Sequence, residues 1–401
     1  MCILLKSARF YQVPPQTLVI IMAIWTGPLF AFDSFQVHGF INQGYFLSSD
    51  NNMYGNSDSK NGTLDFTEIG INSSIRPLSN LRLAVQGVYR HAGQTSNDAR
   101  IDYALVDWTV LEKEDYQLGF RFGRIKNPLG FYNDTRDVAF TRPSIFLPQG
   151  IYQERSRDLF LSSDGGQFYL NTDTPIGKFF LQINAGKLED DPEELEIAIL
   201  NFNAPGHLCI KPAYMGKLEF ESNSGATRLA FSYSDIDMDY KPGAGDFVGA
   251  GDLSFELLVF SAQQSFGQFT VTAEYLRQHN TFENLGPFYP DVKPTSESYY
   301  LQSDYRFNNQ LQGIIRYDAS YLNKDDRKGE QYGASTGSPN YLAYSKDYMA
   351  GMRWTPNNSW MVQAEYHRID GASSLSFADN SDQMSLKQHW NLLTLQLSYR
   401  F

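Results

Sequence analysis

The twelve residues WNLLTLQLSYRF, from Trp390 to Phe401, alternate between apolar and polar side chains. Successive side chains of an extended strand point to opposite faces, so an alternation with a period of two predicts a strand with one apolar face. The residues on that predicted apolar face are Leu393, Leu395, Leu397, Tyr399 and Phe401.

The same alternation recurs through the rest of the chain and indicates about 16 strands. Tight connections alternate with long connections along the chain. The tight ones lie at 77–80, 112–115, 174–177, 223–226, 308–309 and 356–358, and the long ones near 48–63, 91–100, 126–165, 188–211, 238–251, 280–296, 322–345 and 370–387. This rhythm is typical of outer-membrane barrels, which have short periplasmic turns and long extracellular loops. We therefore predict an all-β fold, a single transmembrane antiparallel β-barrel of about 16 strands.

The N-terminus predicts export. Lys6 and Arg9 precede an apolar run at 18–25, and Ala31 follows it after a short spacer. This order is typical of a secretory signal peptide. A membrane anchor is the alternative interpretation, although the run is shorter than the roughly 20 residues that a spanning helix needs. We expect residues 1–31 to be the signal peptide and residues 32–401 to be the barrel.

Composition argues against several classes of function. The net charge of −12 disfavours a nucleic-acid binder, because phosphate binding needs a basic surface. The two cysteines, Cys2 and Cys209, and the six scattered histidines show no metal-ligand spacing. We expect no cofactor and no enzymatic activity.

The segment FGRIKNPLGFYN, residues 122–133, resembles the end of the fifth strand in many Gram-negative outer-membrane porins, including the phosphate-selective group. Together with the strand rhythm and the terminal Phe401, it makes the chain similar to the 16-stranded general and substrate-selective porins. That resemblance implies a homotrimer in outer-membrane lipid and lipopolysaccharide, through which small hydrophilic solutes diffuse. It also implies that the barrel-assembly machinery reads the signal formed by Phe401, Tyr399 and Leu397, and that the third long loop, predicted at 127–165, narrows the pore.

The third loop and the strand before it carry most of the candidate site residues. Seven basic residues lie between 121 and 158: Arg121, Arg124, Lys126, Arg136, Arg142, Arg155 and Arg157. Four acidic residues accompany them: Asp134, Asp137, Glu154 and Asp158. Charged rings at a constriction tune which ions pass, so these residues are candidates for the pore lining. The alternative is that the arginines anchor the loop to acids of the barrel wall such as Glu219, Glu274 or Asp318.

The alternation of side chains between the two faces of a strand adds three further pore-lining candidates, Arg82, Arg90 and Arg316. It also selects Arg121 as the best single candidate, because Arg121 points to the face opposite that of its neighbours Phe120 and Phe122. A charge facing lipid at mid-depth would cost about 2–4 kcal/mol, which favours the lumen for these side chains. The basic third loop gives a slight preference for anions or neutral polar solutes over cations.

The fourth long loop contains an acidic run that includes Glu189, Asp190 and Asp191. Carboxylates of this kind can bind a divalent cation and bridge to lipopolysaccharide phosphates, although a solvated charge run is the simpler interpretation. A non-conducting barrel used for adhesion or surface anchoring is the main alternative to a porin, and a barrel enzyme is a third hypothesis.

Overall fold

The computed structural model describes residues 35–154, 156–188, 196, 199–200, 205–287 and 290–401. The predicted signal peptide, Arg155 and the acidic run at 189–191 lie outside the described residues. The strands of this part of the chain are β1 (Gln36–Ser48), β2 (Thr63–Leu78), β3 (Leu81–Ala92), β4 (Ser96–Glu112), β5 (Tyr116–Lys126), β6 (Ser162–Thr174), β7 (Gly177–Leu188), β8 (His207–Ile210), β9 (Ala213–Ser222), β10 (Thr227–Lys241), β11 (Gly251–Phe266), β12 (Phe269–Glu283), β13 (Thr295–Arg306), β14 (Leu311–Tyr321), β15 (Tyr344–Trp354), β16 (Trp360–Gly371) and β17 (His389–Arg400).

The strands form one antiparallel sheet that closes on itself. β1 pairs with β2 through Phe40 and Gly70 and also with β17 through Phe40 and Arg400, so no edge remains at this seam. β8 and β9 both pair with β10 and are therefore two parts of one barrel strand. Pro212 stands at their junction, where its lack of a backbone N–H prevents a ladder hydrogen bond. The barrel thus has 16 strand positions, which confirms the predicted fold class and strand count.

The alternation seen in the sequence corresponds to the two faces of the wall. In β17, Leu393, Leu395 and Leu397 are exposed on the outside, whereas Thr394 and Gln396 between them are buried inside. An outward apolar face is what a barrel presents to lipid. No helix among the described residues is long and apolar enough to cross a membrane. Short helices include α1 (Arg157–Leu161) and α2 (Glu330–Thr336), and 3-10 turns lie at Asn133–Thr135, Ala139–Thr141, Asn340–Ala343 and Gln383–Ser385.

Two predicted boundaries are corrected by the structure. The connection between β3 and β4 is a tight turn at 93–95, where the sequence predicted a long loop at 91–100. The ladder continues through the pairs His91 with Asn97 and Ala92 with Ser96, so these polar residues belong to strands. β6 begins at Ser162 instead of 166, and the third loop therefore spans 127–161. Gly165, which the sequence prediction placed in the loop, is a strand residue paired with Gly123.

Candidate functional site

The third loop, residues 127–161, leaves the wall after β5 and returns to it at β6. Asn133 holds the two ends together, because its side-chain amide donates to the carbonyls of Asn127 and Phe160, each at 2.8 Å. Ser163 on β6 donates to the side chain of Asn127 at 2.8 Å. The loop therefore begins and ends at one place on the wall, and its middle is free to extend across the lumen.

One arm of the third loop packs on an apolar patch inside the barrel. Four inward residues of β11 are apolar and buried: Leu253, Phe255, Leu257 and Val259. Together with buried residues of β8 to β12 they form a hydrophobic cluster with the loop residues Leu129, Phe131, Tyr132, Leu147, Ile151, Tyr152, Leu159 and Phe160. Burial of apolar surface on this scale fixes the loop inside the barrel.

A carboxylate on β12 fixes the same arm by hydrogen bonds. Glu274 is 2 % exposed and accepts from the backbone N–H of Phe131 at 2.9 Å. It also accepts from the hydroxyls of Tyr152 at 2.7 Å, of Tyr300 at 2.9 Å and of Ser261. A buried carboxylate costs free energy unless donors satisfy it, and here four donors do so.

The other arm of the loop reaches the opposite wall, at β14 to β16. The Arg316 guanidinium donates to the Ser144 hydroxyl at 2.9 Å and to the Phe146 carbonyl at 2.8 Å. Glu365 accepts from the Ile145 N–H at 2.6 Å. Arg353 donates to the Phe140 and Arg142 carbonyls at 3.0 and 2.9 Å. The third loop thus spans the lumen between two walls.

A third group of contacts, which we name the ion-pair cluster, joins the loop to β2–β5. Its members are Glu68, Arg90, Asp102, Lys126, Arg136, Asp137, Arg142, Glu154 and Arg157. Glu154 stands at its centre: it accepts from Arg90 at 2.7 Å, from Arg136 at 2.6 Å and from Arg157 at 3.2 Å. Asp137 accepts from Arg157 and Lys126. All nine residues except Lys126 are at least nine-tenths buried.

The charges of the cluster determine the ionisation of its loop carboxyls. Burial raises the pKa of Glu154, but the guanidiniums of Arg157, Arg136 and Arg90 outweigh burial and hold the pKa below its ordinary value. Burial likewise raises the pKa of Asp137, and Lys126 and Arg157 bring the pKa well below its usual range. Both carboxylates therefore remain ionised from neutral to mildly acidic pH, and they stay paired with the surrounding cations.

Most of the predicted pore-lining residues are anchors of the loop. Five of the arginines are buried away from pore water: Arg90, Arg136, Arg142, Arg157 and Arg316. The prediction that these five line the channel is therefore corrected. Asp137 and Lys126 belong to the same ion-pair cluster. The alternative interpretation, in which the arginines anchor the loop to wall acids, agrees with the pairs that Arg142 and Arg157 make with Glu68 on β2. Two of the wall acids that it named have other partners: Glu274 accepts from the Phe131 N–H, and Asp318 pairs with Arg316 of its own strand.

Arg124 lies on the outside of the barrel. It pairs with Asp164 through two hydrogen bonds of 2.8 and 3.0 Å. Asp164 is exposed and shares the outward parity of Phe168 on β6. The prediction that Arg124 lines the pore is corrected by this position.

Two candidates keep solvent access on the inner wall. Arg82 is exposed near the periplasmic end of β3. The Arg121 side chain is 29 % exposed; it donates to Asp107 at 3.2 Å and to Gln167 at 2.6 Å, and its guanidinium lies 4.6 Å from the centre of the Tyr169 ring. Asp134 on the loop is half-buried and pairs with Lys217 of β9 at 2.9 Å.

A second buried charged group on β14–β16 was not predicted. His367 Nδ1 lies 2.6 Å from Asp347 and its Nε2 lies 3.4 Å from Glu365, and Arg316 pairs with Asp318 at 3.0 Å. Strand parity places each of these side chains in the lumen, but only the register of three neighbouring strands brings them together. Among the described residues no group of three or more His, Cys, Asp or Glu side chains could hold a metal ion.

Comparison with known proteins gives the fold. No protein family profile and no curated protein sequence matches the chain. Solved structures do match it over 92 % of its length: the outer membrane channel DcaP of Acinetobacter baumannii (TM-score 0.59, 12 % identity, 97 % of that chain), OmpT of Vibrio cholerae in its trimer form (0.56, 12 %, 99 %) and an anion-selective porin from Comamonas acidovorans (0.56, 10 %, 99 %). The chain has the 16-stranded barrel fold of Gram-negative outer-membrane porins. At these identities the likeness shows the fold alone.

Proposed function

We propose that the protein is a porin in the outer membrane of a Gram-negative bacterium, through which ions and small hydrophilic solutes diffuse passively. The observation that carries the proposal is the contrast between the two faces of the wall. Outward residues such as Leu395 and Ile315 are apolar and exposed, whereas inward residues are polar or charged on most strands. A closed barrel with this pattern encloses a polar interior that lipid cannot fill.

The third loop determines the size of the path in this proposal. It divides the lumen because its two arms are held at β10–β12 and at β14–β16. The polar wall of β3–β7 on the periplasmic side, which carries Arg82 and Arg121, is left as the surface along which solutes pass. Two accessible arginines there support a preference for anions or neutral polar solutes.

The rest of the biology follows the same proposal. Residues 1–31 would direct export, the barrel-assembly machinery would insert the chain, and the protein would form a homotrimer surrounded by lipopolysaccharide. No catalytic role is assigned to any residue, and no cofactor is needed for diffusion.

A non-conducting barrel for adhesion or surface anchoring is the second candidate, and a specific observation favours it. Besides the cluster on β8–β12, a second buried apolar cluster fills the lumen near β1, β2, β16 and β17, where Phe46, Phe66 and Trp390 contact Phe146 of the third loop and Leu375 of the last long loop. Much of the extracellular half of the lumen is therefore occupied by side chains.

Current across a planar lipid bilayer distinguishes the two candidates. Purified protein is expected to give discrete conductance steps that scale with salt concentration. Small steps relative to those of a barrel with an unobstructed lumen would agree with the position of the third loop. Absence of steps from correctly folded barrels would refute the porin and favour the anchoring barrel.

Arg121→Gln is expected to change ion selectivity. Removing one positive charge about 7 Å from a passing ion in water raises the energy of an anion and lowers that of a cation by roughly 0.6 kcal/mol each, which corresponds to about a sevenfold fall in the anion-to-cation permeability ratio. The reversal potential in a salt gradient measures this ratio. Arg124→Gln, on the outer face, is the matched control and should leave it unchanged; an Arg121 variant with the wild-type ratio would show that Arg121 lies off the conduction path.

A further inference from the structure

The inner wall of β16 and β17 carries a buried group of polar side chains behind the third loop. Gln363 and Glu365 are successive inward residues of β16, and Gln396 and Thr394 are their directly opposite partners on β17. Each of these four side chains is at most 2 % exposed. The Cβ atoms of opposite residues lie about 5 Å apart and those of successive inward residues about 7 Å apart, so the four side chains share one small space. We name them the β16–β17 patch.

Several atoms of the β16–β17 patch have no hydrogen-bond partner among the described residues. They are the side-chain carbonyl oxygen of Gln363, the hydroxyl of Thr394, and both the oxygen and the nitrogen of the Gln396 amide. Buried polar atoms of native proteins are nearly always satisfied, because an unpaired one keeps the full cost of leaving water. Three adjacent side chains with this property indicate a ligand that binds through polar atoms.

The third loop closes the patch toward the lumen. The Gln363 side-chain amide donates to the Pro143 carbonyl at 3.3 Å, and Glu365 accepts from the Ile145 N–H at 2.6 Å. Because the two contacts are two residues apart on both the loop and the strand, the segment 143–145 runs along β16 and covers the patch. A loop held this close to the wall leaves room only for a small ligand, such as an ion or a water molecule.

The charges around the patch favour a cation over water. Three carboxylates lie inward on β14–β16: Asp318, Asp347 and Glu365. Arg316 pairs with Asp318 at 3.0 Å and lies 3.9 Å from Asp347. His367, 2.6 Å from Asp347 and 3.4 Å from Glu365, adds at most one more positive charge. At least one negative charge therefore remains without a contacting cation among the described residues, and a buried charge is costly unless it is paired.

We propose that the β16–β17 patch binds one weakly hydrated monovalent cation, K⁺ or an ion of similar size, through oxygens of its four side chains. Amide and hydroxyl oxygens can replace the hydration shell of such an ion, as backbone carbonyl oxygens do in the filters of K⁺ channels. The Glu365 carboxylate supplies the negative charge. The Gln396 amide has both ends unpaired and is free to turn its oxygen toward the ion.

A divalent ion suits these ligands less well. Ca²⁺ sites combine roughly six to eight oxygens, commonly including several carboxylates, whereas the patch contains one carboxylate, that of Glu365. The bound K⁺ would hold the segment 143–145 of the third loop against the wall, together with the hydrogen bonds that Arg316 donates to the loop. The proposal does not rest on conduction, because a barrel with a closed lumen would hold the ion in the same way.

Unfolding of the purified barrel in lipid vesicles tests the site. Denaturant titrations are run in KCl, RbCl, NaCl and N-methylglucamine chloride at equal ionic strength, and a separate titration adds CaCl₂. We expect the free energy of unfolding of the wild type to rise with K⁺ or Rb⁺ and to saturate, because an ion that binds only the folded state stabilises it. The double variant Thr394→Val, Gln396→Leu is expected to need roughly tenfold more K⁺ or beyond for the same rise.

Two further variants make this test specific. Gln278→Leu is the matched control, because Gln278 on β12 is also an inward, buried glutamine with an unpaired carbonyl oxygen but lies outside the patch. It should keep the wild-type response to K⁺. Thr394→Val alone keeps the shape of the side chain and should weaken the response even if the double variant does not fold. Equal stability of the wild type in all salts, a rise with Na⁺ alone or Ca²⁺ alone, or an unchanged response of the Thr394 variants would overturn the proposal.

Diffraction from crystals grown in RbCl locates the ion. Anomalous scattering at the rubidium edge is expected to give a peak bounded by Gln363, Thr394 and Gln396 in the wild type and none there in the double variant. Density at the patch without an anomalous signal would show a bound water molecule and would overturn the proposal. Conductance of the same protein is recorded separately, so absence of the ion with intact current refutes the ion site and leaves the porin proposal standing.

Discussion

Glu154→Ala is expected to lower the free energy of unfolding by about 3–5 kcal/mol and to make the channel current noisy, because breaking a buried ion pair leaves its partners uncompensated. Three guanidiniums lose their shared carboxylate in this variant: those of Arg90, Arg136 and Arg157. The part of the third loop that carries Arg136 and Arg157 would then move away from β2–β3, because the unpaired guanidiniums are more stable in water. We expect larger and more variable conductance steps as the lumen opens.

Denaturant titration of the folded barrel in vesicles gives the first quantity, and single-channel recording gives the second. Asp173→Ala is the control, since Asp173 and Lys178 are more than half exposed and lie 3.9 Å apart near the periplasmic turn. An exposed pair of this kind is worth about 0–1 kcal/mol. If Glu154→Ala behaves like Asp173→Ala in both measurements, the ion-pair cluster does not hold the loop.

Arg316→Leu is expected to release the other arm of the third loop and to favour cations. The variant loses the hydrogen bonds to Ser144 and Phe146. It also leaves the carboxylates of β14–β16 with less positive charge, since Arg316 pairs with Asp318 and lies 3.9 Å from Asp347. Removing one partner of a buried pair costs about 3–5 kcal/mol.

The unfolding free energy and the reversal potential measure the two effects of Arg316→Leu. Arg306→Leu is the matched control, because Arg306 is exposed at the periplasmic end of the neighbouring strand β13. If Arg316→Leu kept the stability and the reversal potential of the wild type, Arg316 would not be an anchor of the third loop.

The barrel could be predicted from the sequence because its determinants are local. Alternation in β17 and the rhythm of tight turns and long loops each depend on adjacent residues, and both are visible in the printed chain. The errors also have local causes. Asn97 and Asp98 are typical loop residues but extend a hairpin, and Gly165 suggests a loop where the wall needs a residue without a Cβ, because a Cβ would clash with the Ala185 carbonyl oxygen of β7.

The candidate site could be predicted only in part. Parity correctly places Arg90 and Arg316 inside the barrel, but it cannot show what covers them. Glu68 and Glu154 are 86 residues apart, and they share Arg157 as a partner only because the loop folds back onto β2 and β3. The apolar surface that holds the loop could not be recognised in the sequence for another reason. β11 contains the run Leu257–Phe260, in which both faces of the strand are apolar. The inward face therefore does not differ in the sequence from the face that contacts lipid.

The position of the third loop in the conduction path is the central claim, and chemical modification of Thr141→Cys in a Cys209→Ser background tests it most directly. Thr141 is exposed on the loop, and Cys209 is the free cysteine within the described residues, so the introduced thiol is the reactive one. Addition of a charged, membrane-impermeant methanethiosulfonate during single-channel recording is predicted to reduce the current by at least half and to shift its ion selectivity according to the sign of the reagent. Full modification with unchanged current and selectivity would contradict the account.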